Sequence, residues 1–353
     1  MDPVGRQSGR ATIESVAVRA QVSRQTVSNA LNSPGRLRPE TLERVLGVVA
    51  ELGYRPNQAA RALRTQATRV IGCRLLPSTM PATTTSGGTG GVLDRFLHSL
   101  CDAARERRHD VLTFAAHNDD DEIAIYDDLI RRTVVDGFVI AGTHFIDPRT
   151  DWLLDHSAPF VAFGRPWGQQ HSRHSWVDVD GAAGSAEAVG HLVEQGHRRI
   201  GYLGWPEGSG VGDDRRRGWF EALEARGLPA HDVEGRGDDG IDVGAALAAQ
   251  LLESAQPPTA FVCVSDTMAL GALRTLEDRG LVAGTDIAIV GFDDSPVAGL
   301  VRPGLSSIRQ PIEAVAEKVI EILLDHLAGR PDESAQELIP PALVVRASSD
   351  PHR

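Results

Sequence analysis

The 353-residue sequence predicts an α/β protein: an all-α helix-turn-helix headpiece at the N-terminus, then a body of two lobes built on doubly wound parallel sheets. Three observations predict it. Residues 12–55 carry three short stretches of helical apolar periodicity and no strand-like run. From Val70 onward, short apolar runs alternate with amphipathic stretches, the pattern of a mostly parallel sheet covered on both faces, and the length exceeds one small sheet. The charge is also split. Residues 1–69 hold a net +6 and the remainder a net −18, inside an overall −12. A basic end on an acidic body is the asymmetry of a nucleic-acid module joined to something else.

In chain order, residues 1–11 are polar and aperiodic and read as a disordered arm. Thr12 can cap a first helix with Ile13, Val16, Ala17 and Ala20 on one face. Ser23 can cap a second, 24–31, with Val27, Ala30 and Leu31 inward, and Pro34-Gly35 ends it. Pro39 and Glu40 suit the first turn of a third, whose stripe is Leu42, Val45, Val49 and Leu52 and whose stop is Gly53. After Pro56, residues 57–65 have helix propensity but span only two turns, too few to fold without a partner. In the body, strands are expected at 69–76, 110–116, 136–141, 159–163, 175–179, 199–204, 259–265 and 286–292. Helices are expected at 91–108, 121–132, 182–195, 213–226, 242–254, 266–279 and 311–328. The Pro-, Ser-, Thr- and Gly-rich stretch 77–91 is a long loop at the ligand-binding edge of such a sheet.

The second helix exposes Arg24, Gln25, Ser28 and Asn29, the residue types that reach base edges: Arg to guanine, Gln or Asn to adenine. Ser23, Thr26 and Asn32 can bond phosphates. A three-helix bundle with a solvated polar face would show the same pattern. The remaining chemistry is sparse. No apolar run approaches the ~20 residues of a membrane span, and Met1–Arg6 begins no signal peptide, so the expected location is the cytoplasm. Cys73, Cys101 and Cys263 are too few and too scattered for a disulfide framework and read as three buried thiols. Gly208–Gly212 follows a strand but lacks the full dinucleotide spacing, and reads as a plain strand-to-helix turn. His171 and His174 have no partner at ligand spacing, so no metal site is expected. No cofactor loop or nucleophile–base pair calls for an enzyme.

The chain resembles the LacI/GalR family of bacterial transcription regulators over about 12–346. The resemblance rests on Thr12–Ala17, Val22–Ser28, Leu52–Asn57 and Ala60–Leu63 at the N-terminal end. In the body it rests on Gly196-His197-Arg198-Arg199-Ile200, Ser265–Gly271 and Asp286–Asp294. It implies a headpiece at 12–55, a hinge helix at 56–66 and an effector-binding and dimerisation body at 67–346, with a tail at 347–353. The body would have a periplasmic-binding-protein-like fold, lobe one at about 69–176 and 309–339 and lobe two at about 177–307 and 340–346. Paired hinge helices would enter the minor groove of a pseudo-palindromic double-stranded operator. Leu63 would be the apolar wedge between base steps, with Asn57 and Ala60 beside it. An effector would sit between the lobes, where its binding is coupled to operator binding.

Cleft residues carry over one at a time from the resemblance: Arg215 before Gly218-Trp219, Asp293 after the Val-Gly-Phe strand, Ser265 with Asp266, Trp176 at the first crossing, and Arg165 at a strand end. Acids, arginines and a ring together suit a sugar. Any single Trp has core packing as its plainer explanation, but Trp152, Trp167, Trp176 and Trp205 cluster in sequence, so at least one is expected near the cleft. Asn29 stands where many members carry Arg, which moves the expected base preference toward adenine. Arg38 replaces a common Ser cap. Asp239-Gly240 lacks an aromatic often found there, which weakens a purine-type stack. No heptad tail follows Arg346, so the expectation is a homodimer. The function implied is a ligand-responsive repressor of sugar-utilisation genes. The alternatives are a purine-type co-repressor-dependent regulator and a sugar-binding module with no DNA role.

Overall fold

The computed structural model describes residues 11–54, 67–75, 90–169, 172–330 and 335–352. The chain divides into two compact units, Met1–Thr68 and Arg69–Arg353.

In the first unit, α1 (Ile13–Ala20) opens on a reciprocal cap. Thr12 Oγ1 accepts from the Ser15 N–H at 3.2 Å, and Ser15 Oγ accepts from the Thr12 N–H at 2.9 Å. Gln21, at φ 53, ends it in the left-handed region. Ser23 caps α2 (Arg24–Asn32) by accepting from the Thr26 N–H at 3.1 Å. α3 (Pro39–Glu51) has Pro at its first position and no side-chain cap from Arg38. The three pack around Val16, Ala17, Ala20, Val27, Ala30, Val45 and Val48. The periodicity of α3 is as the sequence predicts, but the inward stripe is centred on Val45 and Val48, with Leu42 and Val49 at its edges.

The second unit holds two six-stranded sheets. The first has the order β11-β5-β4-β3-β1-β2, all parallel. Its strands are β1 (Val70–Leu75), β2 (Asp110–Ala115), β3 (Gly137–Ala141), β4 (Phe160–Phe163), β5 (Trp176–Val179) and β11 (Gln336–Ile339). Its helices are α4 (Gly90–Glu106), α5 (Asp119–Arg131), α6 (Pro148–Asp155) and α11 (Ile312–Leu327). The second sheet has the order β12-β10-β9-β8-β6-β7 and is parallel except where β10 meets β12. Its strands are β6 (Ile200–Gly204), β7 (Glu234–Arg236), β8 (Ala260–Cys263), β9 (Ala288–Asp293), β10 (Ser306–Arg309) and β12 (Ala342–Val344). Its helices are α7 (Gly181–Glu194), α8 (Val211–Glu224), α9 (Ile241–Leu252) and α10 (Asp266–Asp278). The chain passes between sheets after β5, after β10 and between β11 and β12. All of β5 lies in the first sheet, so lobe one runs through Val179 and the first crossing follows it.

Apolar clusters cover both faces of the first sheet, one centred on Phe96, Leu100, Val319 and Leu323, the other on Tyr126, Phe138 and Phe160. A single larger cluster fills the second lobe around Tyr202, Trp219, Phe261 and Phe292. Close packing of α8 on α7 requires Gly218: a Cβ there would lie 2.0 Å from the Ala182 carbonyl oxygen.

Several sequence expectations need correction. Ser348 and Ser349 are fully buried against β9 and β10, with the Ser348 hydroxyl donating to the Ile289 carbonyl at 2.7 Å, so lobe two continues past 346 into the segment read as a tail. Cys73 and Cys263 are buried but Cys101 is exposed, because α4 turns Leu100 and Ala104 inward. Helix α6 and strands β7 and β10–β12 were not anticipated. They span three to eight residues, too short for periodicity, and α6 buries Arg149 and Thr150 rather than an apolar stripe. Among the described residues, no helix is long and apolar enough to cross a membrane.

Candidate functional site

In the headpiece, the cap Ser23 and Arg24 and Gln25 of α2 are exposed, with Thr26, Ser28 and Asn29 half-buried. Arg24 Nη1 bonds Glu14 Oε1 of α1 at 2.6 Å, and Gln25 Nε2 donates to Asn29 Oδ1 at 3.0 Å. The Thr26 hydroxyl lies 2.9 Å from that of Ser23, so these two form the cap and its support. Asn32 closes α2, and its side chain is outside the described residues. Asn57, Ala60 and Leu63 of the expected hinge also lie outside them.

In the body, a cavity of about 480 Å³ opens between the lobes at the carboxyl ends of both sheets. Lobe one contributes Arg74 from β1, Thr143 and His144 after β3, Arg165 and Trp167 after β4, and Asp178 from β5. Lobe two contributes Trp205, Glu207 and Ser209 from the β6–α8 turn and Asp214 and Arg215 from α8; Gln310 stands at the second crossing.

Arg215 is 4% exposed. Its Nη1 donates to the Val264 carbonyl at 2.6 Å and lies 3.4 Å from Asp293 Oδ1. Its guanidinium sits 3.7 Å over the Phe292 ring and 5.5 Å from that of Trp205. Its Nε is buried and has no hydrogen-bond partner among the described residues. Asp293 accepts from Gln310 Nε2 at 2.6 Å and has φ 106, a backbone region an L-residue occupies only when its surroundings enforce it. Burial pushes its carboxyl up to about 7; Arg215 opposes the shift, and Asp266 and Asp239 add to it.

Arg165 spans the lobes. Its Nε bonds Asp178 at 2.9 Å on its own side, and its Nη2 bonds Asp214 at 2.5 Å on the other. Asp214 also accepts from Arg217 at 2.6 Å and from the Ala182 N–H at 3.1 Å. Burial works to raise the Asp214 carboxyl, but the two arginines outweigh it and hold it below the usual carboxylate range.

The other sequence candidates lie outside the cavity wall, Asp293 among them: it stands behind the wall, in contact with the lining residues Arg215 and Gln310. Trp176, 9% exposed, is the first residue of β5 and packs in the core with Phe160 and Tyr126; the cavity is at the opposite, carboxyl end of the strands. Ser265 caps α10 and donates to Asp239 Oδ1, which also accepts from Trp205 Nε1 at 2.9 Å. It therefore supports Trp205 from behind. Asp266 accepts from the Ser307 hydroxyl at 2.5 Å and the Ser295 N–H at 2.6 Å, tying α10 to β10 and the β9–β10 connection. Trp167 and Trp205 supply the rings expected of Trp176. Both follow predicted strands, and that position was the available signal.

Asp119, His144 and Asp147 form the only set with metal-ligand spacing among the described residues. Both Asp147 oxygens already accept from Arg149, a buried guanidinium that occupies the place of a cation.

Two family models match: bacterial regulatory proteins of the lacI family at residues 12–57, and the periplasmic binding protein-like domain at 189–349. The regulator CelR of Thermobifida fusca is 32% identical over 340 residues, covering 96% of this chain and 98% of its own. The chain belongs to the LacI family. This LacI-family regulator thus joins a DNA-binding headpiece to a periplasmic-binding-protein-like body. Among solved structures, a CelR–cellobiose complex has 30% identity and a TM-score of 0.70, covering 96% of this chain and all of the other. A lac repressor dimer bound to operator and the anti-inducer ONPF has 25% identity and a TM-score of 0.79, covering 97% of this chain and all of the other.

Proposed function

We propose that this LacI-family protein is a sugar-responsive repressor: a homodimer that holds a pseudo-palindromic operator through two headpieces and releases it when a sugar fills the interlobe cavity. The observation that carries the sugar reading is the buried guanidinium of Arg215. It is stacked on Phe292, beside Trp205, in the wall of a two-sided cavity, and its Nε has no hydrogen-bond partner among the described residues. Such a site offers fixed donors for hydroxyl oxygens and aromatic faces for the apolar side of a ring. The cellobiose complex of CelR, a relative 30% identical to this chain, supports it. The DNA reading is supported by the exposed Arg24 and Gln25, with the half-buried Asn29 beside them, on a capped α2. In this reading the hinge helix at 56–66 pairs with its partner's, with Leu63 as wedge and Asn57 and Ala60 at its start. The working compartment is the cytoplasm.

The test is a thermal-shift screen against monosaccharides, disaccharides, sugar phosphates and nucleobases, followed by operator gel shifts with each stabilising compound. A sugar that stabilises the wild type and releases DNA, with Arg215→Ala retaining operator binding but not responding, is the expected result. Stabilisation by a nucleobase alone would replace the sugar reading with a co-repressor one.

A further inference from the structure

Arg24 is the first residue of α2 and the helix's one charged side chain. It is held from outside its own helix: Nη1 donates to Glu14 Oε1 of α1 at 2.6 Å. Glu14, Ala17, Val18 and Gln21 share one face of α1, spaced by three and four residues. With Val22, Ser23 and Arg24 they line a shallow hollow where α1 meets the start of α2. The acid therefore borders the end of α2 that presents Arg24 and Gln25 to solvent.

Stability does not account for this pair. Its side chains are 67% and 65% exposed, and an ion pair so open to solvent contributes little to folding. The packing of α1 on α2 is set without it, by Val16, Ala17, Ala20, Val27 and Ala30. The start of α1 is capped by Thr12 and Ser15, not by Glu14. A carboxylate beside a DNA-facing surface also opposes binding, because it repels phosphates. What the bond does supply is direction. It fixes a long, rotatable side chain before a ligand arrives. Engaging Nη1 leaves the edge formed by Nε and Nη2, two parallel donors on a planar fork, and such an edge matches O6 and N7 of guanine in the major groove.

We propose that Glu14 is a positioning residue for operator recognition: it holds the Arg24 guanidinium so that its Nε–Nη2 edge meets a guanine, and does not itself touch a base. This inference rests on the DNA reading above. It adds that part of the base specificity of α2 is set from α1, by a residue whose charge alone would weaken DNA binding.

The experiment first selects binding sites from a pool of randomised DNA duplexes with the full-length wild type. Dissociation constants are then measured for the selected site and each of its single-base-pair variants. The proteins compared are the wild type, Arg24→Ala, Glu14→Gln and the double variant. The expected result is one position per half-site where the wild type prefers G·C by about tenfold and Arg24→Ala has no preference. There, Glu14→Gln should reduce the preference to about threefold or less and leave every other position as in the wild type. Glu14→Gln should bind randomised duplex at least as tightly as the wild type, since a negative charge has gone; that binding needs a folded headpiece and so excludes misfolding. Adding Glu14→Gln to Arg24→Ala should change base preference no further, the non-additivity of a residue that acts through another. Full guanine preference in Glu14→Gln overturns the proposal. So does a loss at a base pair that Arg24→Ala leaves untouched, which would make Glu14 a base reader in its own right. Either leaves the DNA reading standing. If the wild type enriches no sequence from the pool, both fall.

Discussion

Replacing Asp293 by Asn tests the electrostatics behind the cavity wall, where Asp293 meets Arg215 and Gln310. A carboxyl that ionises near 7 in the folded protein and near 3.8 in the unfolded chain stays protonated in the fold across a window where the unfolded chain has already released its proton. The unfolded state binds fewer protons there, so this group's contribution is fully present below about pH 4 and is lost as pH rises through 7. Each pH unit in the window costs about 1.4 kcal/mol, which makes about 4 kcal/mol an upper bound by pH 8. Asn keeps the oxygen that accepts from Gln310 at 2.6 Å and faces Arg215 at 3.4 Å, and it removes the titration. The variant should match the wild type near pH 4.5 and exceed it at pH 8 by about 2–4 kcal/mol. At roughly 2 °C per kcal/mol for a body of this size, that is a rise of several degrees. Thermal melts of both proteins at the two pH values read the double difference, in which other titrating groups cancel. A variant that loses stability at pH 8 would show that Asp293 is ionised and net-stabilising through Arg215, and would refute the reasoning.

Further outcomes follow from the other contacts. Arg165→Ala leaves Asp178 and Asp214 without their shared partner and cuts the ion pair between the lobes; calorimetric titration with the best sugar should give at least tenfold weaker binding, with operator affinity retained. In the headpiece, Ser23→Ala removes the α2 cap and should cost about 1 kcal/mol, seen as earlier loss of operator binding on heating. Operator affinity should fall by orders of magnitude between 50 and 200 mM salt through counterion release, and a flat gel-shift series would contradict the headpiece reading. Maleimide at pH 8 should label one thiol of the native protein: Cys101 is exposed, whereas burial pushes Cys73 up to about 12 and Cys263 higher still.

Most of the architecture could be read along the chain because its signals are local. Thr12 and Ser23 announce helix starts because a side-chain oxygen one turn before an orphan N–H is a short-range bond. The strand–helix alternation from Val70 onward places each long element because burial on both faces of a parallel sheet demands an unbroken apolar run. Arg215, Arg165 and Asp293 came from the resemblance to the LacI/GalR family, carried over residue by residue rather than read from local pattern.

Where the ligand-facing chemistry gathers was decided only in three dimensions. Trp176 and Trp167 are equally aromatic and nine residues apart. One begins a strand and is buried in a core; the other follows a strand's carboxyl end and reaches Gly210 of the opposite lobe. Ser265 and Asp266 face their own lobe because α10, β10 and the β6–α8 turn converge on them. Short strands such as β10 and β12 form only when a neighbouring strand supplies hydrogen bonds, and the Arg165 bridge joins residues 49 apart in sequence. The sequence by itself determined the long elements and the family resemblance, through signals a few residues long. The tertiary structure decided which side chains share the cavity, because that depends on three chain crossings bringing the carboxyl ends of two separate sheets face to face.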